Sequence, residues 1–159
     1  MEELMSKAFD GVALIEEIQL NRAPWLMVDR IDECDPGKRV VAIKNFSLNE
    51  WFFPLEMGLS SFVPGFIAVE CMVQAFIMTF LSMDKYRGEQ TADISIEDIE
   101  IHHQLRAGTT MRLVATLDSV RFGIATGKAE GWVDGILASE ARMVVAIPSV
   151  LRRMTPTGR

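Results

Sequence analysis

Apolar residues recur with two different periods along this chain, and the change of period divides it into elements. ALIEEIQL (13–20) has helical spacing and predicts a short amphipathic helix. WLMVDRIDEC (25–34) and KRVVAIKNF (38–46) read as strands joined by Asp35-Pro36-Gly37, where proline fixes φ and glycine tolerates positive φ. From Phe66 to Met83 nearly every position is apolar, and the one charged residue in the run is Glu70. Gln74 follows it one helical turn later on the same face. This run predicts a long helix over 65–83, opened by Pro64-Gly65 and closed by DKYRG with Gly88. Beyond it, ADISIEDIEI alternates cleanly, and TMRLVATLDSV, FGIATGKAEGWV and ILASEARMVVAI follow as three further strands. Asp134-Gly135 is a two-residue hairpin signal between the last two, while Gly108 and Gly123 punctuate the earlier joins.

The order is therefore a short helix, two strands, one long helix and four strands. Short connections and hairpins predict an antiparallel sheet, which can bury one face on a helix. A helix of 18 residues, about 27 Å long at 1.5 Å per residue, can lie across a curved sheet of that size. It is too apolar to stand on a surface and must be wrapped by protein. No repeat, low-complexity tract or linker divides the chain. The expectation is one α+β domain over residues 1–159.

Composition narrows the partners. Of the 159 residues, 49% are hydrophobic, enough for a substantial core. The net charge of −6 gives no electrostatic footprint for nucleic acid. MEELMSKAFDG lacks the basic start and continuous apolar run of a signal peptide. Cys34 and Cys71 are a poor disulfide framework, and Cys71 sits in the most apolar segment, where it serves as a small hydrophobe. A membrane-spanning reading of 66–83 would strand Glu70 and Gln74 in lipid. A cytoplasmic protein without a membrane span is expected. His102 and His103 are adjacent on a strand, so their side chains take opposite faces and at most one can face a given pocket. No Cys/His spacing elsewhere completes a metal centre around them, and none is expected. A surface or interface role is the expectation for this pair.

RAPWLMVDRIDECDPGKRVVAIKNFSLNEWFF and VPGFIAVECMVQAF, followed by GIATGKAEGWVDGILASEARMVVAI, together resemble the hot-dog-fold (3R)-hydroxyacyl-acyl-carrier-protein dehydratases of fatty acid synthesis. The resemblance covers roughly residues 20 to 147, and several ordered motifs in register carry it. It implies an antiparallel sheet wrapped around one long central helix, in agreement with the periodicity. It also implies a working unit of at least a dimer, often a trimer of dimers, and no cofactor. In that family a loop histidine removes the proton next to the thioester carbonyl. A carboxylate on the central helix, fourteen positions later, helps the 3-hydroxyl depart, and backbone N–H groups at the helix start polarise the carbonyl. Carried over by position, the helix acid is Glu70 and the helix start is Gly65.

The histidine position, however, holds Glu56. The family's Gly-His-Phe-Pro-Gly loop is replaced by PLEMGLSSFVPG, which keeps only the last Pro-Gly. His102 and His103 fall where the family commonly has basic residues before a Pro-Gly turn. An apolar shell of Trp51, Phe52, Phe53, Leu55 and Met57 would raise the Glu56 pKa and make it a better base. Two carboxylates in one site also repel and tend to share a proton. Glu70 and Glu56 are thus the candidate catalytic residues. Glu70 is expected to border an acyl tunnel between helix and sheet, with Phe53, Phe62, Val63, Gly65 and Gln74 as substrate-binding candidates.

Two classes of function follow from the resemblance. One is an enzyme on acyl thioesters of an acyl carrier protein or coenzyme A: a dehydratase, or a thioesterase or isomerase working through a carboxylate. The other is a non-catalytic subunit that binds acyl chains, or that pairs with an active paralogue as a heterodimer. An acidic carrier protein would need a local basic patch, for which Lys38-Arg39, Arg106, Arg112 and Arg152-Arg153 are the available clusters.

Overall fold

The computed structural model describes residues 11–53 and 61–154. After α1 (Val12–Ile18) come β1 (Arg30–Asp35) and β2 (Arg39–Asn45), then the long helix α2 (Gly65–Leu81). A short 3₁₀ turn, Asp84–Tyr86, leads into β3 (Ala92–Ile101), β4 (Thr110–Arg121), β5 (Ile124–Val133) and β6 (Ile136–Ala146), and α3 (Pro148–Met154) ends the described chain. The six strands form one sheet in the order β1-β2-β4-β5-β6-β3, every neighbouring pair antiparallel. Helix α2 lies across β2, β4, β5 and β6. This is the hot-dog arrangement.

Helix burial is nearly complete from Ile67 to Leu81, as a run without a polar face requires. The sheet makes room for it by supplying small side chains. On β5 the buried positions are Ala125, Gly127, Ala129 and Gly131, alternating with half-buried or exposed residues. A Cβ on Gly127 would stand 2.6 Å from Phe76 Cε2 and 2.2 Å from the Thr116 carbonyl oxygen. Phe76 therefore rests directly on the β5 backbone, and its ring meets Phe80 edge-on at 5.8 Å. Each such ring contributes about 1.5–3 kcal/mol by leaving water.

Most element boundaries follow the pattern. The β5–β6 hairpin turns at Asp134 (φ 49°) and Gly135 (φ 78°), the two positive φ values that a tight two-residue hairpin needs. Three features differ from expectation. The strand expected from residue 25 begins only at Arg30, because residues 25–27 bond to the central helix through Gln74 instead of a neighbouring strand. The long helix stops at Leu81, where Ser82 is the C-cap, rather than at 83. The closing helix Pro148–Met154 is too short to leave a periodic signal.

Candidate functional site

Glu70 stands on the second turn of α2, half-buried. Gln74, four residues on, donates from Nε2 to Glu70 Oε1 at 2.7 Å. The same amide donates to the Trp25 carbonyl at 2.7 Å, and its Oε1 accepts from the Met27 N–H at 2.8 Å. Gln74 is buried and both its amide protons are committed to these contacts, so it fixes the acid in place and ties the helix to the segment before β1. Burial pushes the Glu70 carboxyl pKa up; Gln74 pulls against that, while the charge of Asp93 adds to it. The result is a carboxylic acid more ready to carry a proton than a solvated one.

An aromatic cluster starts from Trp25, whose carbonyl shares the Gln74 amide with Glu70. Trp25 and Trp51 lie 5.9 Å apart, and Trp51 donates its indole N–H to the Pro24 carbonyl at 3.0 Å. Trp51 meets Phe52 at 5.6 Å, and Phe52 meets Phe53 at 4.8 Å. Phe53 is buried in the core. Glu56, Leu55 and Met57 lie outside the described residues.

Behind this cluster sits a buried cation. Lys44 on β2 bonds Glu50 and lies 3.4 Å from Asp29 Oδ1. Burial works against its ammonium, but the Glu50 bond and the charges of Asp29 and Glu50 outweigh it and hold the pKa above the ordinary lysine value. Asp29 also accepts the Asn45 backbone N–H at 2.6 Å, so the acids brace both β2 and the loop leading to Trp51.

At the start of α2, Val63, Gly65 and Ala68 line a concavity of about 230 Å³ together with Ile101, His103, Gln104, Leu105 and Ser139. It joins a second, of about 250 Å³, that runs past Arg106 and Thr109 to the β5–β6 turn. The chain leading to it is pinned at residues 62 and 63. Phe62 forms an isolated bridge with Arg106, whose guanidinium stacks 4.0 Å from its ring centre, and Val63 N donates to the Leu105 carbonyl. Pro64, the N-cap, offers no side-chain cap, and the first N–H groups of a helix have no partner within it.

The structure therefore divides the sequence candidates into two groups. Val63 and Gly65 share the concavity at the helix start. Glu70 and Gln74 stand together on another flank of the helix, against Trp25 and Met27. Phe62 packs under Arg106, and Phe53 joins the aromatic cluster.

The two histidines, just past the end of β3, separate. His102 Nε2 lies 3.0 Å from Glu140 Oε1 and 3.8 Å from Glu100 Oε2 on the outer face of the sheet. These three side chains hold their ligand atoms within 4.8 Å of one another, a grouping created by the cross-strand pairing of Glu100 with Glu140 that sequence spacing does not reveal. His103 lines the concavity at the helix start instead.

Residues 20–142 match the family model described as the FabA-like domain. The 3-hydroxyacyl-[acyl-carrier-protein] dehydratase FabZ of Bacillus cereus (strain AH187) is 38% identical over 137 residues, 86% of this chain and 95% of the relative. FabZ of Bacillus mycoides (strain KBAB4) gives the same identity and coverage. Among solved structures, the dehydratase heterocomplex ApeI:P from Xenorhabdus doucetiae aligns with a TM-score of 0.74 at 13% identity, over 88% of this chain and 95% of that one. A sigma28-regulated virulence protein from Campylobacter jejuni aligns with a TM-score of 0.62 at 14% identity, over 80% of each chain. Among the described residues no helix is long and apolar enough to cross a membrane.

Proposed function

Because this chain belongs to the FabA-like family, we propose that it removes water from (3R)-hydroxyacyl thioesters in fatty acid or polyketide-type biosynthesis. Glu70 is the observation that carries this reading. It occupies the position of the family's helix acid, and burial favours its protonated form. A protonated carboxyl is what the departing 3-hydroxyl needs, since hydroxide leaves far more readily as water. The uncapped start of α2, with Gly65 as its first residue, supplies backbone N–H donors toward which a thioester carbonyl can develop negative charge. The acyl group is delivered by an acyl carrier protein or by coenzyme A.

The working unit in this reading is at least a dimer. Among the described residues strand β3 ends the sheet with one side unpaired, and Ile94, Ile99 and Ile101 on it are exposed together with Phe66 at the helix start. An apolar edge of this kind invites a second copy.

A second reading rests on Glu56 at the family's histidine position. Here the chain is a subunit that holds an acyl thioester, or that contributes Glu70 to a histidine-bearing paralogue in a heterodimer. The deciding assay follows enoyl thioester formation from carrier-protein and coenzyme A (3R)-hydroxyacyl substrates by ultraviolet absorbance, for wild type, Glu70→Gln and Glu56→Gln. Turnover that Glu70→Gln abolishes supports the dehydratase. Thioester binding without turnover supports the subunit, and release of free thiol instead of an enoyl product would mark a thioesterase.

A further inference from the structure

The cavity at the start of α2 contains an ionisable side chain that the carboxylate pair leaves out of account. We propose that His103 is the base that takes the proton from the carbon next to the thioester carbonyl. This rests on the dehydratase reading above.

The assignment starts from strand register. Glu100 and Glu140 pair across β3 and β6, and His102 reaches Glu140 on that same outer face. Ile101 therefore belongs to the opposite face, the one turned to the helix: its Cδ1 lies 2.8 Å from where a Cβ on Gly65 would stand. His103, just past the end of β3, lines the same cavity as Ile101. The chain then leaves the sheet at this point, since the N–H groups of both His102 and His103 donate to one acceptor, the Ala138 carbonyl. His103 is left solvent-exposed and shared by both concavities, beside the first residues of α2. Unlike His102, it has no carboxylate partner among the described residues. Imidazole is the side chain that exchanges protons nearest neutrality, and here it borders the helix start proposed to hold the thioester carbonyl.

Glu70 does not face His103 within one protomer. At 100° per residue it leaves the helix about 200° around from Ala68, which lines the cavity. The acid that meets His103 belongs to a second copy seated at the β3 edge. A neutral ring nitrogen of His103 takes one C2 proton, and the C–H electron pair forms the C2–C3 double bond as the C3–O bond breaks. Glu70 of the second copy, entering protonated, transfers its proton to the departing hydroxide and releases water. Net transfer of one proton from imidazolium to carboxylate through solvent restores both groups.

The test compares wild type with His103→Gln, His102→Gln and Glu56→Gln on a (3R)-hydroxyacyl thioester. Each variant is checked for an unchanged melting temperature, and binding of a non-hydrolysable acyl thioether analogue is measured by calorimetry. His103→Gln should lower kcat by about 10²–10⁴-fold with analogue affinity kept. His102→Gln should leave activity within about threefold, as a residue on the other face. Added imidazole should partly rescue His103→Ala. A heterodimer isolated by two tags from co-expressed His103→Gln and Glu70→Gln chains retains one intact site, and should recover about half the wild-type rate per dimer.

Turnover that survives in His103→Gln but disappears in Glu56→Gln would overturn the assignment and leave the dehydratase reading standing. Failure of the mixed dimer to recover activity would overturn the two-copy arrangement. Wild type that binds the analogue without turnover would overturn the role of His103 and favour the subunit reading. Wild type that neither binds nor turns over would overturn both readings.

Discussion

Gln74 Nε2 lies 2.7 Å from Glu70 Oε1 and, through the same amide, 2.7 Å from the Trp25 carbonyl, so one buried side chain orients the acid and anchors the segment before β1. Replacing it with leucine keeps the volume but orphans the Met27 N–H and the Trp25 carbonyl. An unsatisfied buried group costs about 1–3 kcal/mol, so Gln74→Leu should lower unfolding free energy by at least that amount in urea titrations. It should also raise the Glu70 pKa further, because the lost hydrogen bond is the larger of the two, from Gln74 and Trp25, that oppose burial. A carbon-13 carboxyl titration checks the shift.

The raised Glu70 pKa has a stability signature of definite sign. A group whose folded-state pKa exceeds its unfolded value binds its proton more tightly when folded. Its contribution is fully present below the ordinary value near 4.5 and is lost as pH rises through the folded value. Glu70→Gln removes the ionisation and keeps an oxygen acceptor for Gln74. The difference in stability between variant and wild type should therefore be smallest in acid, and should move in favour of the variant as pH climbs from about 4.5 toward neutrality. Paired denaturation curves across that range measure it, and a difference independent of pH would refute the assigned shift.

How much of this was legible in the sequence depended on whether a signal was local. The Glu70–Gln74 pair follows from i,i+4 spacing alone, and the Asp134-Gly135 hairpin from turn chemistry. The strands β4 to β6 were plain because each alternates against a single buried face, whereas β3 alternates in sequence but leaves its isoleucines exposed at the sheet edge. What escaped was the long-range part. That Gln74 reaches Trp25 and Met27, nearly fifty positions away, depends on how the helix lies. His102 and His103 separate just past the end of β3, and which one meets the helix depends on the irregularity in β3. Pairing there shifts between Glu97 and Glu100, with Asp98 at φ 49°. The helix Pro148–Met154 has too few turns for a period.

The small face of β5 makes a sharp comparison between two glycines. A Cβ on Gly127 would stand 2.2 Å from the Thr116 carbonyl oxygen, an atom of the backbone ladder that cannot yield without moving β4. A Cβ on Gly131 would meet chiefly the Met111 side chain, at 1.7 Å from Cε, together with Ser139 Oγ at 2.8 Å. Methionine has three rotatable bonds and can swing away. Overpacking costs about 1–3 kcal/mol in a well-packed core, so Gly127→Ala should fall at or beyond the top of that range and Gly131→Ala nearer the bottom. Melting temperatures of the two variants decide, and equal losses would show that the helix, rather than the neighbouring strand, absorbs the strain.

Lys44 provides the last test, because its ammonium is buried with two acids whose exposures differ. Glu50 is the more enclosed of them, with 20% of its side chain accessible against 36% for Asp29. Removing one partner of a buried pair leaves a charge without compensation and costs about 3–5 kcal/mol, whereas exchanging both for apolar groups can be neutral. Glu50→Ala should therefore destabilise strongly, since Asp29, 3.4 Å away and shared with the Asn45 N–H, compensates only in part. Lys44→Met should cost less, because both acids retain access to water. The double variant Lys44→Met/Glu50→Ala should recover much of the loss seen in Glu50→Ala. A double-mutant cycle in guanidinium chloride measures the coupling, which should exceed the 1 kcal/mol or so typical of exposed pairs. Purely additive single losses would mean that the ammonium finds water in the folded protein, and the bracing of β2 against the Trp51 loop would then rest on the Asp29–Asn45 bond alone.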